Sequence, residues 1–246
     1  MLDVCSCAQT SNGVKIFIDS ADIEEIKKYL DAGLCDGVTT NPTTFFKLGI
    51  RGEDIKKKAL EIARLINPRP LSVEVTSENP KEIYRQAKEF STWALNIAVK
   101  VTITDSRGNS LLSVINRLIR EGIMVNVTAV MTFNQSILAA KAIHEGAKSS
   151  DAKKPHFVSI FLGRIAEEYG IETSFNVVKN FRGWLDLYKF DDVEILAASI
   201  RTPENIEYWG RAGAHVMTIP PEAISKSLLS ARTKETVAQF IKDAKE

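Results

Sequence analysis

From Val14 onward the chain alternates short strand-forming runs with longer helix-forming ones, eight times over. Strands are predicted near 14–19, 36–39, 71–75, 95–101, 123–128, 156–162, 193–199 and 214–219. Helical patterns fill 22–32, 52–66, 79–92, 109–121, 133–146, 173–189 and 203–212, with a short helix near 221–229 and a last one near 233–244. Eight strand–helix units in a chain of about 250 residues predict an α/β fold, a (β/α)8 TIM barrel with an extra C-terminal helix. A doubly wound open sheet shares the alternation. No Gly-x-Gly-x-x-Gly follows a strand and no Walker-type loop occurs, so a nucleotide-binding sheet loses support. No linker rich in Gly, Ser or Pro divides the chain. Residues 1–13 read as an N-terminal extension, and 14–246 as one barrel domain that includes the helix at 233–244.

Local signals fix several helix ends. Ser20 or Ala21 is expected to cap a first helix whose opening turn, Asp22-Ile23-Glu24-Glu25, is acidic. Thr202-Pro203-Glu204 reads as a cap followed by proline at the first helical position. Gly33, Gly122, Gly146 and Gly213 follow helical patterns, where a left-handed residue ends a helix.

Three central strands carry a period-two pattern that assigns their faces. Leu71, Val73, Val75, Ile97, Val99, Val101, Val125 and Val127 fall on one side. Ser72, Glu74, Asn96, Ala98, Lys100, Asn126 and Thr128 fall on the other. A barrel accounts for this split, because one strand face meets helices and the other a crowded lumen. Active sites gather where its strands end.

Extended to the strand ends, the same rule collects a ring of polar groups. The first strand ends at Asp19, and the second offers Thr39 and Asn41. Glu74, Lys100, Asn126 and Thr128 follow on the next three. Ser159 and Phe161 come from the sixth with Arg164 beyond, then Ser199 from the seventh with Arg201 in the following loop. Each has an ordinary reading: Lys100 at a strand end reaching solvent, Glu74 as its structural partner, Asp19 as a helix cap, Asn41-Pro42 as a turn, both arginines as surface residues. The shared company of Glu74, Asn126 and Thr128 favours a lumen position for Lys100. An amine with the reference pKa near 10.4 is neutral in only about one molecule in a few thousand at pH 7. Burial lowers that value, and about 7–8 makes a useful fraction nucleophilic. Arg164, Ser199 and Arg201 form a plausible anion site, since guanidinium forks fit phosphate oxygens and barrels often bind phosphate near their last strands.

Composition removes some partners. With 32 basic and 31 acidic residues the net charge is +1, which gives no reason to expect nucleic acid or a membrane surface. No apolar run approaches the roughly 20 residues of a membrane helix. Met1–Gly13 lack a basic region followed by an apolar stretch, so no secretory signal is expected and a cytoplasmic setting is. Cys5, Cys7 and Cys35 read as reduced thiols. His144, His156 and His215 do not cluster with carboxylates at metal spacing, so no metal or other cofactor is expected.

At this point the chain resembles the transaldolase family, in particular its short single-barrel branch that includes fructose-6-phosphate aldolase. The resemblance runs from about Val14 to the C-terminal helix. It rests on Phe17-Ile18-Asp19, Gly37-Val38-Thr39-Thr40-Asn41-Pro42, Ala98-Val99-Lys100, Val125-Asn126-Val127-Thr128 and Phe161-Leu162-Gly163-Arg164. Leu196-Ala197-Ala198-Ser199-Ile200-Arg201 and Thr218-Ile219-Pro220-Pro221 complete the ordered set. The resemblance implies Lys100 as the Schiff-base lysine and Asp19 as the acid/base at the cleaved bond. It implies Glu74, with a water near Thr128, for proton handling. Asn41, Asn126 and Ser159 would hold dihydroxyacetone hydroxyls, and Arg164, Ser199 and Arg201 the phosphate. It implies sugar-phosphate substrates such as fructose 6-phosphate or sedoheptulose 7-phosphate, no cofactor, and a homo-oligomer, often a pentamer or decamer, joined through the last helix.

Glu74, Asn126 and Phe161 stand where fructose-6-phosphate aldolases tend to carry Gln, a residue other than Asn, and Tyr, so the transferase side of the family is favoured. Three alternatives stay open: an aldolase releasing free dihydroxyacetone, a specialised enzyme with another acceptor, and a sugar-phosphate-binding protein without turnover. Departures lie on the acceptor side. Val101-Thr102-Ile103-Thr104 replaces the usual apolar residue and proline, Ile160 replaces a common proline, and the 105–109 and 144–156 stretches are long.

Overall fold

A computed structural model describes residues 13–245. The strands are β1 (Lys15–Asp19), β2 (Gly37–Thr39), β3 (Leu71–Glu74), β4 (Ile97–Thr102), β5 (Val125–Val130), β6 (His156–Phe161), β7 (Val193–Ala198) and β8 (Val216–Ile219). They pair in parallel, each with the next, and β8 closes on β1. The helices are α1 (Ile23–Asp31), α2 (Pro42–Lys47), α3 (Glu53–Ile66), α4 (Pro80–Ser91), α5 (Leu112–Arg120) and α6 (Phe133–Lys148). They continue with α7 (Leu162–Tyr169), α8 (Ile171–Tyr188), α9 (Pro203–Arg211), α10 (Pro221–Ser227) and α11 (Ala231–Asp243). The expected (β/α)8 barrel with a C-terminal helix is therefore present. Cys5 and Cys7, like nearly all of the expected extension, lie outside the described residues.

Two apolar layers hold the barrel. Outward faces such as Leu71, Val73, Val99, Val127 and Val158 pack under the helices. A smaller inner cluster fills the lumen with Phe17, Ala98, Met124, Phe157, Leu196 and Val216. Phe17 and Phe157 meet edge to face across it, with ring centroids 5.6 Å apart. Gly37 leaves room for this, because a Cβ there would lie 2.7 Å from the Phe17 ring. The lumen is thus plugged below by rings and lined by polar groups above.

Several expectations are corrected. Asp22, not Ser20 or Ala21, caps α1, its carboxylate accepting from Glu24 and Glu25 N–H. Ser20 Oγ instead donates to Glu25 and accepts from Asp22 N–H. Gly33, Gly122 and Gly213 do take positive φ, but Gly146 does not. It lies inside α6, where a Cβ would press on Ile119 of α5 at 2.9 Å, so its role is close helix packing. Asn96 is not in the lumen. It precedes β4 at the barrel floor and donates to the carbonyls of Ala63 and Arg69. Two helices went unpredicted. The six residues of α2 are too few to show a period, and α7 follows β6 directly, ending at Gly170 (φ 88°). The stretch after β4 forms a small hairpin, bridged from Thr104 to Ser110, so α5 starts later than the predicted 109. Asp105 holds that turn through Arg107 N–H and Asn109 N–H, and Glu78 holds Ser106.

The barrel floor carries an acid-sensitive pair. His156 Nδ1 accepts from Val125 N–H at 3.2 Å, and His215 Nδ1 accepts from Ile195 N–H at 2.9 Å. Each bond needs that nitrogen unprotonated. Burial, acting against the nearby carboxylates Asp192 and Asp186, lowers both imidazoles to about 4. An unfolded imidazole titrates near 6.5, so between those values the unfolded chain binds more protons. The stability they contribute is full above about pH 6.5 and is lost as pH falls toward 4, on the order of 3 kcal/mol each. Urea unfolding midpoints should therefore drop between about pH 7.5 and about pH 5. The drop should shrink in a His156→Gln/His215→Gln double variant. An equal drop in both proteins would contradict this account.

Candidate active site

The strand register sets the site's geometry. Glu74 of β3 pairs with Lys100 of β4, and Lys100 with Asn126 of β5. Register partners on parallel strands point to the same face, so a carboxylate, an amine and an amide face the lumen side by side. Thr128 pairs with Thr102 one step higher, just before a register shift in which Ala129 takes a left-handed φ of 58°. Along the adjoining wall, from β3 back to β1, Ser72 pairs with Thr39, and Thr39 with Asp19.

Lys100 is only 5 % exposed, so the solvent-reaching reading fails. Its Nζ lies 3.1 Å from Glu74 Oε2 and donates to the Thr40 carbonyl at 3.2 Å. The amine is therefore paired, rather than held by apolar neighbours alone. Glu74 is partly exposed and can pass protons outward.

Asp19 stands free of any helix cap, because Asp22 does that work. Burial pushes its carboxyl above the ordinary carboxylate range. The Lys100 cation, the Thr39 hydroxyl bond and Lys47 pull against this. Thr39 Oγ1 donates to Asp19 Oδ1 at 3.4 Å and also bonds Thr218 of β8.

Two buried atoms beside the amine have no partner among the described residues: Asn126 Oδ1 and Thr128 Oγ1. Asn126 Nδ2 donates to Ser72 Oγ at 3.1 Å, which fixes the amide and leaves its oxygen open. Buried polar atoms are nearly always satisfied, so this open pair marks a place for a polar ligand or a water. Ser159 is buried on the lumen side of β6, between Phe157 and Phe161. Asn41 is placed differently from a free ligand-holding side chain. Its Oδ1 caps α2, accepting from Thr43 and Thr44 N–H, which leaves the amide nitrogen for other contacts.

The two arginines meet at the rim. Gly163 makes this approach feasible, because a Cβ there would fall 1.9 Å from the Ser199 carbonyl oxygen. Ser199 itself adopts φ 65°, which turns the chain off its strand direction. Simple alternation would group it with Ala197 on the helix side; the turn lifts that restriction. Arg164 lies over the Phe161 ring, 5.6 Å from its centroid. Arg201 is paired with Glu167. With Glu168, these charged residues line an open cavity of about 420 Å³. The first turn of α7 takes no side-chain cap and begins at this rim. Asn205 Oδ1 accepts from the N–H of both Arg201 and Thr202 and so holds the loop.

Sequence reasoning missed Thr218, Ser72, Gly163, Asn205 and Glu167. Thr218 follows from the period-two rule once Val216 is assigned to the lumen. Ser72 fell on the correct face without an assigned part. No group of three His, Cys, Asp or Glu able to hold a metal stands together among the described residues. No helix among them is long and apolar enough to cross a membrane.

A buried lysine between two carboxylates, at the C-terminal mouth of a closed parallel barrel, defines the class: a (β/α)8 protein with an amine-centred site. Comparison narrows the class. The chain belongs to the transaldolase/fructose-6-phosphate aldolase family, whose model matches residues 16–246. It is 37 % identical over 232 residues to a probable transaldolase of Lactiplantibacillus plantarum, covering 94 % of this chain and 97 % of that protein. It is 35 % identical over 234 residues to a probable transaldolase of Dehalococcoides mccartyi, covering 94 % and 98 %. Among solved structures, one titled native KDPGal superposes with a TM-score of 0.53 at 16 % identity, over 86 % of this chain and 84 % of that one. A dihydrodipicolinate synthase from Rhodopseudomonas palustris gives 0.51 at 12 %, over 84 % and 69 %. These two likenesses speak to the fold alone.

Proposed function

We propose that the protein is a cofactor-free transaldolase that moves a dihydroxyacetone unit from a ketose phosphate to an aldose phosphate through a lysine Schiff base. The observation that carries this reading is the Lys100 amine, 5 % exposed and 3.1 Å from the Glu74 carboxylate, facing the open Asn126 and Thr128 oxygens. Glu74 takes a proton from Lys100, freeing the lone pair that attacks the C2 carbonyl. Loss of water gives a protonated imine. Asp19, in its elevated pKa range, takes the C4 hydroxyl proton as the C3–C4 bond breaks. The electron pair of that bond moves into the imine to form an enamine, and an aldose leaves. An aldose phosphate then accepts the three-carbon unit, Asp19 returns its proton, and a water held near Thr128 and Glu74 hydrolyses the imine.

The remaining assignments belong to the same reading. Asn126, Ser159 and the Asn41 amide nitrogen hold the dihydroxyacetone hydroxyls, and Thr39 orients Asp19. The α7 N-terminus with Arg164, Ser199 and Arg201 holds the phosphate. Phe161 presents no hydroxyl to the three-carbon intermediate, which suits retention over release. The protein acts in the cytoplasm as a homo-oligomer. Exposed Val237, Phe240 and Ile241, on a helix that buries none of its residues against this barrel, support association through α11.

Product analysis with fructose 6-phosphate, with and without erythrose 4-phosphate, tests the transfer. Donor consumption should depend on the acceptor, with little free dihydroxyacetone. Release of dihydroxyacetone at a comparable rate without acceptor would make the protein an aldolase instead.

A further inference from the structure

We propose that Glu167 is a built-in anion that competes with phosphate for Arg201 and thereby sets how strongly the enzyme prefers phosphorylated sugars. The inference rests on the phosphate site proposed above and adds a residue to it. Arg164 and Glu167 sit one turn apart on α7, yet among the described residues only the carboxylate of Glu167 engages the Arg201 guanidinium. Arg164 instead lies against Phe161 and has no carboxylate partner there. The rim cavity thus presents one cation free of a carboxylate and one already neutralised. Glu168 lines the same cavity and adds a further carboxylate. A dianionic phosphate that reaches for both arginines meets Glu167 already on the Arg201 guanidinium, and the two anions compete for its charge.

The exposure of the pair makes that exchange feasible. The Arg201 and Glu167 side chains are 52 % and 54 % exposed. Ion pairs in that setting gain little over hydration, so the contact is weak enough to break for each phosphate and strong enough to matter. It also offers Arg201 a resting partner when the sugar carries no phosphate, so an unphosphorylated substrate has nothing to displace. The carboxylate therefore penalises only ligands that bring an anion to Arg201.

Glu167→Gln removes the charge and keeps the side-chain length. KM for fructose 6-phosphate should fall about two- to fivefold, the span of a surface ion pair. The inhibition constant of inorganic phosphate should fall by a similar factor. Values of kcat, and kcat/KM for unphosphorylated fructose, should stay unchanged. A rise in KM for the phosphorylated sugar would show that Glu167 positions Arg201, and unchanged constants would show that it does not compete; either result overturns the inference. Arg201→Ala separates that failure from failure of the site. It should weaken fructose 6-phosphate about tenfold or more while sparing fructose, as expected for a charge-assisted contact. Equal loss on both sugars would put the phosphate elsewhere and remove the ground for both assignments.

Discussion

Replacing Lys100 with Ala should lower turnover by at least about a thousandfold and leave the barrel standing. The first half follows from the chemistry, because none of the neighbouring groups can form an imine with a ketone. Glu74 and Asp19 are carboxylates, and Asn126 and Thr128 offer only an amide and a hydroxyl. The second half follows from burial. The substitution removes a methylene stem and an ammonium from a site whose partner, Glu74, is 19 % exposed in its side chain and so retains contact with water. An unpaired carboxylate in that position costs far less than one sealed in a core. The far-ultraviolet circular dichroism spectrum should match that of the parent. Residual activity within about tenfold of the parent would show that the amine is not the nucleophile.

Asp19→Asn should cut kcat by about a hundred- to ten-thousandfold, the range of a lost general base. The expected signature differs from that of the lysine variant. Imine formation precedes the step that Asp19 serves, so this variant should still form a donor adduct and accumulate it. An amide at that position can still accept the Thr39 hydroxyl bond. The parent carboxyl has its pKa raised by burial, so its charged form is destabilised by the fold at neutral pH. A neutral amide removes that penalty, and the thermal midpoint should be unchanged or higher. Retained kcat with a lowered midpoint would assign Asp19 to structure instead of chemistry.

What the sequence disclosed and what it hid divide along a physical line. Glu74, Lys100 and Asn126 fall on one face because strand alternation is a local rule, and parallel pairing then sets them side by side. The barrel followed from a different regularity, eight strand–helix units in a chain of about 250 residues. Asn96 broke the rule because it lies before β4 begins, where its amide serves carbonyls of other segments. Gly146 was read as a helix end, although its constraint comes from Ile119 on a neighbouring helix, which no local pattern reports. Asn41 reads in the sequence as a candidate site residue and not as a cap, because α2 is too short to show a period. The pairing of Arg201 with Glu167 joins residues 34 positions apart through exposed side chains, and spacing carries no trace of it. The close approach of Gly163 to Ser199 is of the same kind: it depends on how the first turn of α7 packs against the segment that follows β7.

The central claim is covalent, and trapping tests it most directly. Fructose 6-phosphate is added with borohydride, and the protein is analysed by intact mass and peptide mapping. The account predicts one reduced three-carbon unit per chain, carried on Lys100 and absent from the Lys100→Ala variant. An unmodified Lys100 in protein that is turning over the sugar, or an adduct on another lysine, would contradict it.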